Sequence, residues 1–204
     1  MFIPRHFKVT DFDEIHDFIE KNSFGTIVTT ENGKPIATHT PMDLYNEGDD
    51  YYIFGHMAYA NPQWKTFNSV NDTLVMFQGP HAYISSSWYH HENVPTWNYQ
   101  SVHVYGKASV MSEQELEQYL AFLLKKYEQH RENPVLWDTL SSQTKKQMNG
   151  TVGFKMKIEE VQAAYKLSQN RNEEDYEAII EKLHEEEDFH AKQIADVMKK
   201  RKPY

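Results

Sequence analysis

From Phe24 the chain turns to β-type patterning, and two tight turns within thirty residues dictate how the strands must run. GTIVTT is followed by Glu31-Asn32-Gly33 and then by KPIATHTP. Asn-Gly between two extended runs is a strong hairpin signal, because a two-residue turn needs positive φ at its centre. Gly48-Asp49-Asp50 supplies the next reversal, and YYIFGH follows as a third strand. Three consecutive strands are therefore expected to pair antiparallel. The pattern continues downstream. DTLVMFQG is a near-continuous apolar run of the kind seen in a strand buried on both faces, and HAYISSSWY alternates as the next strand. Pro95 sets the start of TWNYQSVHVYGKASVM, which alternates around Trp97, Tyr99, Val102, Val104 and Ala108, with Gly106 as a bulge or a close backbone approach. Thr151 to Ile158 and Val161 to Leu167 read as two neighbouring strands. Short strands with few helices between them point to a mainly β protein, an antiparallel barrel with helices at its periphery.

The helices are fewer and better delimited. Thr10 to Lys21 has a capping Thr, acids in its first turn, and Phe12, Ile15, Phe18 and Ile19 at helical spacing. Ser112 and Glu115 have capping-box spacing, and Leu116, Tyr119, Leu120, Leu123, Leu124 and Tyr127 then mark one apolar face. A short helix is expected around Asp138 to Lys146. At Asn172 the composition shifts: Glu173, Glu174 and Asp175 crowd a first turn and Lys199 to Lys202 a last one, the charge order that complements a helix dipole. This predicts a long C-terminal helix, its apolar stripe interrupted near Glu187. The expected organisation is a barrel domain over residues 1–171 and a helical extension over residues 172–204.

Gly55 to Lys65, GHMAYANPQWK, is the stretch with the clearest chemical content. Asn61 and Pro62 form a helix-start signal, so a strand feeds a helix expected to run to about Val70. A helix amino-terminus gathers unpaired N–H groups and partial positive charge, which suits an anion. His56 and Gln63 add donors, and Trp64 offers a flat apolar face. Taken alone, the same residues fit better a strand-to-helix joint around a buried Trp without a ligand, because helix caps far outnumber anion sites.

Charge and composition remove other classes. Thirty acidic against 21 basic side chains give a net charge of −9, which opposes a broad phosphate-backbone footprint and argues against direct DNA binding. There is no cysteine, hence no disulfide or thiolate chemistry. The mixed charge of the amino-terminus and the lack of a long apolar run predict a cytoplasmic protein without a membrane segment. No GxGxxG, Walker-type loop or GxSxG is present. His90-His91-Glu92 and the trio His184, Glu187 and His190 are read as solvated charges, and no metal is expected. Thirteen Tyr, 11 Phe and 4 Trp make the apolar surface aromatic, which favours ring binding or an interface.

GHMAYANPQW, taken with FQGPHAYISSSWY (Phe77 to Tyr89), VPTWNYQSVHVYG (Val94 to Gly106) and KLSQNR (Lys166 to Arg171), resembles the PaiB family. Its members are FMN-binding split-barrel proteins, also described as negative regulators of protease synthesis and sporulation. The resemblance runs from Met1 to about Arg171. It implies a homodimer holding FMN at the subunit interface. Thr38, His39, Thr40 and Pro41 would lie along the flavin ring edge, with His56, Ala60, Asn61 and Trp64 at the phosphate and ribityl end. Gln78 would reach the ring, Trp97, Asn98 and His103 would come across the interface, and Lys166, Ser168, Gln169 and Asn170 would close the site. Better-known split-barrel oxidases fix the phosphate with Arg and Lys on barrel strands; here Lys65 and Lys166 are the substitutes. No catalytic acid, base or nucleophile stands out. The alternatives are a haem-binding or haem-degrading relative, and a regulator that acts through DNA or a partner without flavin.

Overall fold

The computed structural model describes residues 1–67 and 72–203. Its strands are β1 (Lys8–Val9), β2 (Phe24–Glu31), β3 (Lys34–Glu47), β4 (Asp50–Ala58), β5 (Thr73–Ile84), β6 (Thr96–Val110) and β7 (Thr151–Lys166). The helices are α1 (Phe12–Lys21), α2 (Glu113–Glu128), α3 (Ser142–Lys145), α4 (Glu173–Glu185) and α5 (Phe189–Lys200). The strand order is β1-β7-β4-β3-β2-β5-β6, and β7 also pairs with β6. The hydrogen-bonded order thus returns on itself, and a sheet closed in this way has no free edge along the ring. This is the expected mainly β architecture with helices outside the sheet.

Turn chemistry explains the register. Asn32 and Gly33 take φ of 51° and 79°, and Gly48 takes 65°. The first turn lines up Thr26 with His39 and Ile27 with Thr38 across β2 and β3. The second aligns Met42 with Gly55 across β3 and β4. Alternation then buries Ile27, Met42, Ile53, Phe154 and Met156 completely or nearly so.

Five local expectations are revised. The runs DTLVMFQG and HAYISSSWY form the single strand β5, which passes straight through Gly79-Pro80. A Cβ on Gly79 would lie 2.6 Å from Phe18 Cε2, so the glycine serves close packing of α1 rather than a turn. Thr151 to Lys166 likewise forms one strand, β7, in which exposed Glu159 and Glu160 occupy mid-strand positions; no Gly, Pro or Asn is there to turn the chain. The helix expected after Asn61 is a 3-10 helix of five residues, Pro62–Thr66, and its expected end near Val70 lies outside the described residues. The cap of α1 is Asp11, one residue later than Thr10, accepting from the N–H groups of Asp13 and Glu14 at 3.0 and 3.1 Å. Finally, the long C-terminal helix is two helices. Glu186 is extended, and Asp188 caps α5 by accepting from His190 N–H at 2.9 Å. A capping aspartate offers the backbone an alternative to helical bonding at the break.

The chain divides into two compact units interleaved in sequence. One comprises residues 1–22, 76–103 and 161–204, the other residues 23–75 and 104–160. In the first, β1 pairs with β7 through Lys8 with Ala164 and Val9 with Ala163. There α4 and α5 are joined where the Tyr176 hydroxyl donates to the Met198 carbonyl at 3.0 Å, and Asn98 of β6 donates to Ser168 Oγ at 3.0 Å and to Met198 Sδ at 3.4 Å. In the second, the capping box on α2 forms as expected, Ser112 and Glu115 bonding reciprocally. Below it, Asp43 accepts from Lys126 Nζ at 2.5 Å and from the Tyr119 hydroxyl at 3.3 Å.

Candidate functional site

The Asn61 turn in the second unit is held from inside by one buried amide. Gln63 is 1% exposed. Its Nε2 donates to the carbonyls of Ile27 (3.2 Å) and Ile36 (3.1 Å) and to Thr29 Oγ1 (3.2 Å). Its Oε1 accepts from the Thr38 hydroxyl at 2.5 Å, and Thr38 in turn accepts from Asn61 Nδ2 at 2.8 Å. Asn61 Oδ1 caps the turn by accepting from Gln63 N–H at 3.1 Å. Thr40 donates to the His56 carbonyl at 2.6 Å. Thr38, Thr40, Asn61 and Gln63 are therefore brought together, and their side chains are largely occupied with one another. Their first duty is to shape the turn.

What that turn presents outward is different. Trp64 Nε1 donates to the Tyr59 carbonyl at 3.0 Å, and the two rings lie 5.6 Å apart at 34°. Lys65 Nζ stands 5.8 Å from the Trp64 ring and makes no ion pair among the described residues. Ala60 is exposed beside them. His39 is exposed on β3 and stacks on Phe24 at 6.5 Å, with half-buried Pro41 two residues on. Tyr59 was not among the residues expected from sequence. The signal was its place two residues before the Asn61 cap, but only the fold brings it onto Trp64.

His56 carries the one unusual electrostatic feature of this group. Its Nδ1 is buried and has no hydrogen-bond partner among the described residues. Burial holds its pKa below the ordinary histidine value, against the opposing pull of Asp43. Because the folded pKa is the depressed one, the native state prefers neutral imidazole. Stability is then complete above about pH 6.5 and declines as pH falls below it. Urea unfolding between pH 7.5 and 5.5 is expected to show this loss, and His56→Gln is expected to flatten it. An equal slope in both proteins would place the titration elsewhere.

The remaining candidates belong to the first unit. Trp97 is 53% exposed, with its ring 5.9 Å from Tyr83 and 6.1 Å from His81. Gln78 is exposed and 3.4 Å from His81 Nδ1. Asn98 and Ser168 are buried and bonded to each other, Ser168 at a φ of 61°. Gln169 closes its own turn, accepting from Leu167 N–H at 2.7 Å and donating to the Tyr165 carbonyl at 2.5 Å. Lys166 donates to Thr96 Oγ1, and burial, then Arg171, depresses its pKa. His103 Nδ1 is buried without a partner, and burial lowers its pKa as well. Asn170 is exposed. Of these, Gln78, Trp97 and Asn170 face outward, whereas Asn98, Ser168 and Gln169 hold the fold.

Among the described residues no helix is long and apolar enough to cross a membrane, and no group of three or more His, Asp or Glu side chains is placed to hold a metal ion. Residues 1–160 match a family model described as "Putative FMN-binding domain". The chain is 61% identical over 199 residues to the protease synthase and sporulation protein PAI 2 of Bacillus subtilis (strain 168), covering 97% of this chain and 96% of that one. Among solved structures it is similar to an FAD and heme binding protein from Mycobacterium smegmatis, with TM-score 0.62 and 16% identity over 84% of this chain and 79% of that one. It is also similar to the flavocytochrome Anf3 from Azotobacter vinelandii, with TM-score 0.61 and 19% identity over 86% and 78% of the two chains. At such identities these two structures speak for the fold alone, a split barrel. The family match over most of the chain, and the identity along nearly all of it, mean that this chain belongs to the PaiB family of FMN-binding-domain proteins.

Proposed function

We propose that the chain binds FMN as a homodimer, with the Tyr59–Lys65 turn as the protein's own half of the phosphate and ring-face site. The observation that carries the reading is the juxtaposition of an unpaired Lys65, the paired rings of Tyr59 and Trp64, and the orphaned Nδ1 of His56 in one unit. A flavin phosphate asks for a cation, and its tricyclic ring asks for an apolar face. Both kinds of group are present, so the residues fit. Lys65 would meet the phosphate, Trp64 and Tyr59 would cover an apolar face, and His39 and Pro41 would border the ring edge. Thr38, Thr40, Asn61 and Gln63 act by holding that turn in shape. When bound, FMN supplies one- and two-electron transfer, and the protein supplies binding and orientation. Exposure of Trp97 and Tyr83 on the other unit supports a second copy as the partner that covers them. The barrel over residues 1–171 would carry the flavin, with 172–204 as an added helical segment.

The test is an absorbance spectrum of the purified protein together with thermal-shift titration by FMN, FAD, riboflavin and haem. Flavin bands, or FMN-dependent stabilisation that Lys65→Ala reduces, are the expected results. Stabilisation by none of the flavins overturns the reading, and a Soret band with haem alone would replace it.

The name of the Bacillus subtilis relative attaches that protein to protease synthesis and sporulation. We extend a role of that kind to this chain, exerted through a protein partner or through flavin chemistry, because a net charge of −9 opposes contact with a phosphate backbone. A gel-shift series across salt concentrations checks this: steeply salt-sensitive DNA binding would overturn it.

A further inference from the structure

Within the first unit lies a cleft of about 530 Å³ whose lining includes none of the residues placed at the flavin. Its walls come from α1, β5, β6, β7 and α5. That size lies within the range of small-molecule sites. Phe18, Pro80 and Val197 give it apolar faces, with the Tyr165 ring 5.4 Å from that of Phe18. Two polar groups on this lining have no protein partner, and one of them, the Tyr165 hydroxyl, is fully buried. Gln100 is 7% exposed and its side-chain amide makes no hydrogen bond among the described residues, and the Tyr165 hydroxyl is buried and equally unpartnered. A buried polar group without a partner is costly, and native structures keep few of them without a reason. Most charges on the rim are already matched: Asp17 accepts from Lys21 at 2.5 Å, Arg201 bonds Glu14, and Asp196 stands 3.7 Å from His184. Lys200 is left without an ion pair among the described residues.

We infer that this cleft is a second small-molecule site, and that its ligand is a nucleoside monophosphate. A glutamine amide offers one donor and one acceptor side by side, which complements the paired edge of a nucleobase. Pro80 and Val197, both half-buried, supply an apolar surface against which a flat ring packs. Lys200 is the cation that remains for a phosphate.

Calorimetric titration of the full-length protein with adenosine 5′-monophosphate and uridine 5′-monophosphate tests the inference, with adenosine and uridine as controls. Saturable binding of a nucleotide is expected, weakened about tenfold in Gln100→Leu and about tenfold for the unphosphorylated nucleoside. Lys200→Gln, at an exposed position, is expected to remove the preference for the phosphate while leaving the melting temperature unchanged. Binding should persist undiminished in the presence of saturating FMN. The inference fails if neither nucleotide binds, if Gln100→Leu and Lys200→Gln both bind with wild-type affinity, or if FMN displaces the nucleotide. Loss of FMN binding in a protein that still takes the nucleotide would instead count against the flavin reading alone.

Discussion

Gly106→Ala is expected to lower the melting temperature by roughly 6–12 °C, the thermal equivalent of about 3 kcal/mol in a chain of this size. A Cβ at this position would stand 1.9 Å from the carbonyl oxygen of Lys157 and 2.9 Å from its carbon. Both atoms are backbone, so no rotamer change relieves the overlap. Either β6 or β7 must move, and the pairing between them is what returns the sheet order on itself. Overpacking costs about 1–3 kcal/mol where side chains can give way, and the upper end applies where only main chain can. Gly150→Ala is the matched control. Nothing lies within 4 Å of a Cβ there, and its φ is not in the left-handed region, so a change within about 0.5 kcal/mol is expected. Similar melting temperatures for the two variants would show that β6 and β7 are not held as closely as this.

The second large effect is expected at Gln63. Gln63→Leu keeps the volume but leaves the carbonyls of Ile27 and Ile36 and the hydroxyls of Thr29 and Thr38 without the partner that serves all four. Breaking such a buried network costs about 2–4 kcal/mol, read as a shift in the urea midpoint. The functional consequence follows from the same bonds. Gln63 anchors the turn that displays Trp64 and Lys65, so FMN-dependent stabilisation is expected to fall with it. Lys65→Ala separates the two roles: its side chain is exposed and unpaired, so folding is expected to be unchanged while FMN affinity falls about tenfold or more. Equal FMN binding by Gln63→Leu and wild type would mean that the turn is not part of the site.

Gln63 also shows how little of a polar side chain's surroundings its local sequence carries. At the sequence level it reads as a spare donor beside a helix start. In the folded protein the helix is one short 3-10 segment, and the amide reaches strands 27 and 36 residues away. Asn98 and Ser168, which the resemblance places at a flavin, are buried and bonded to each other. Polar residues that a family resemblance marks for a ligand can equally hold a structural joint, because satisfying a buried amide demands as specific a neighbourhood as binding a ligand does.

Local chemistry was enough to specify the turns at Asn32-Gly33 and Gly48, the capping box on α2 and the alternation of β2 to β4. Each depends on residues within a few positions of one another, where φ preference and side-chain spacing act directly. The continuity of β5 and β7, the break at Asp188, the tie from Gln63 to two strands and the cleft around Gln100 and Tyr165 were decided only by tertiary structure. Those features arise from which distant groups meet, and a glycine, an acid or an amide carries no mark in the sequence of the partner that it will face.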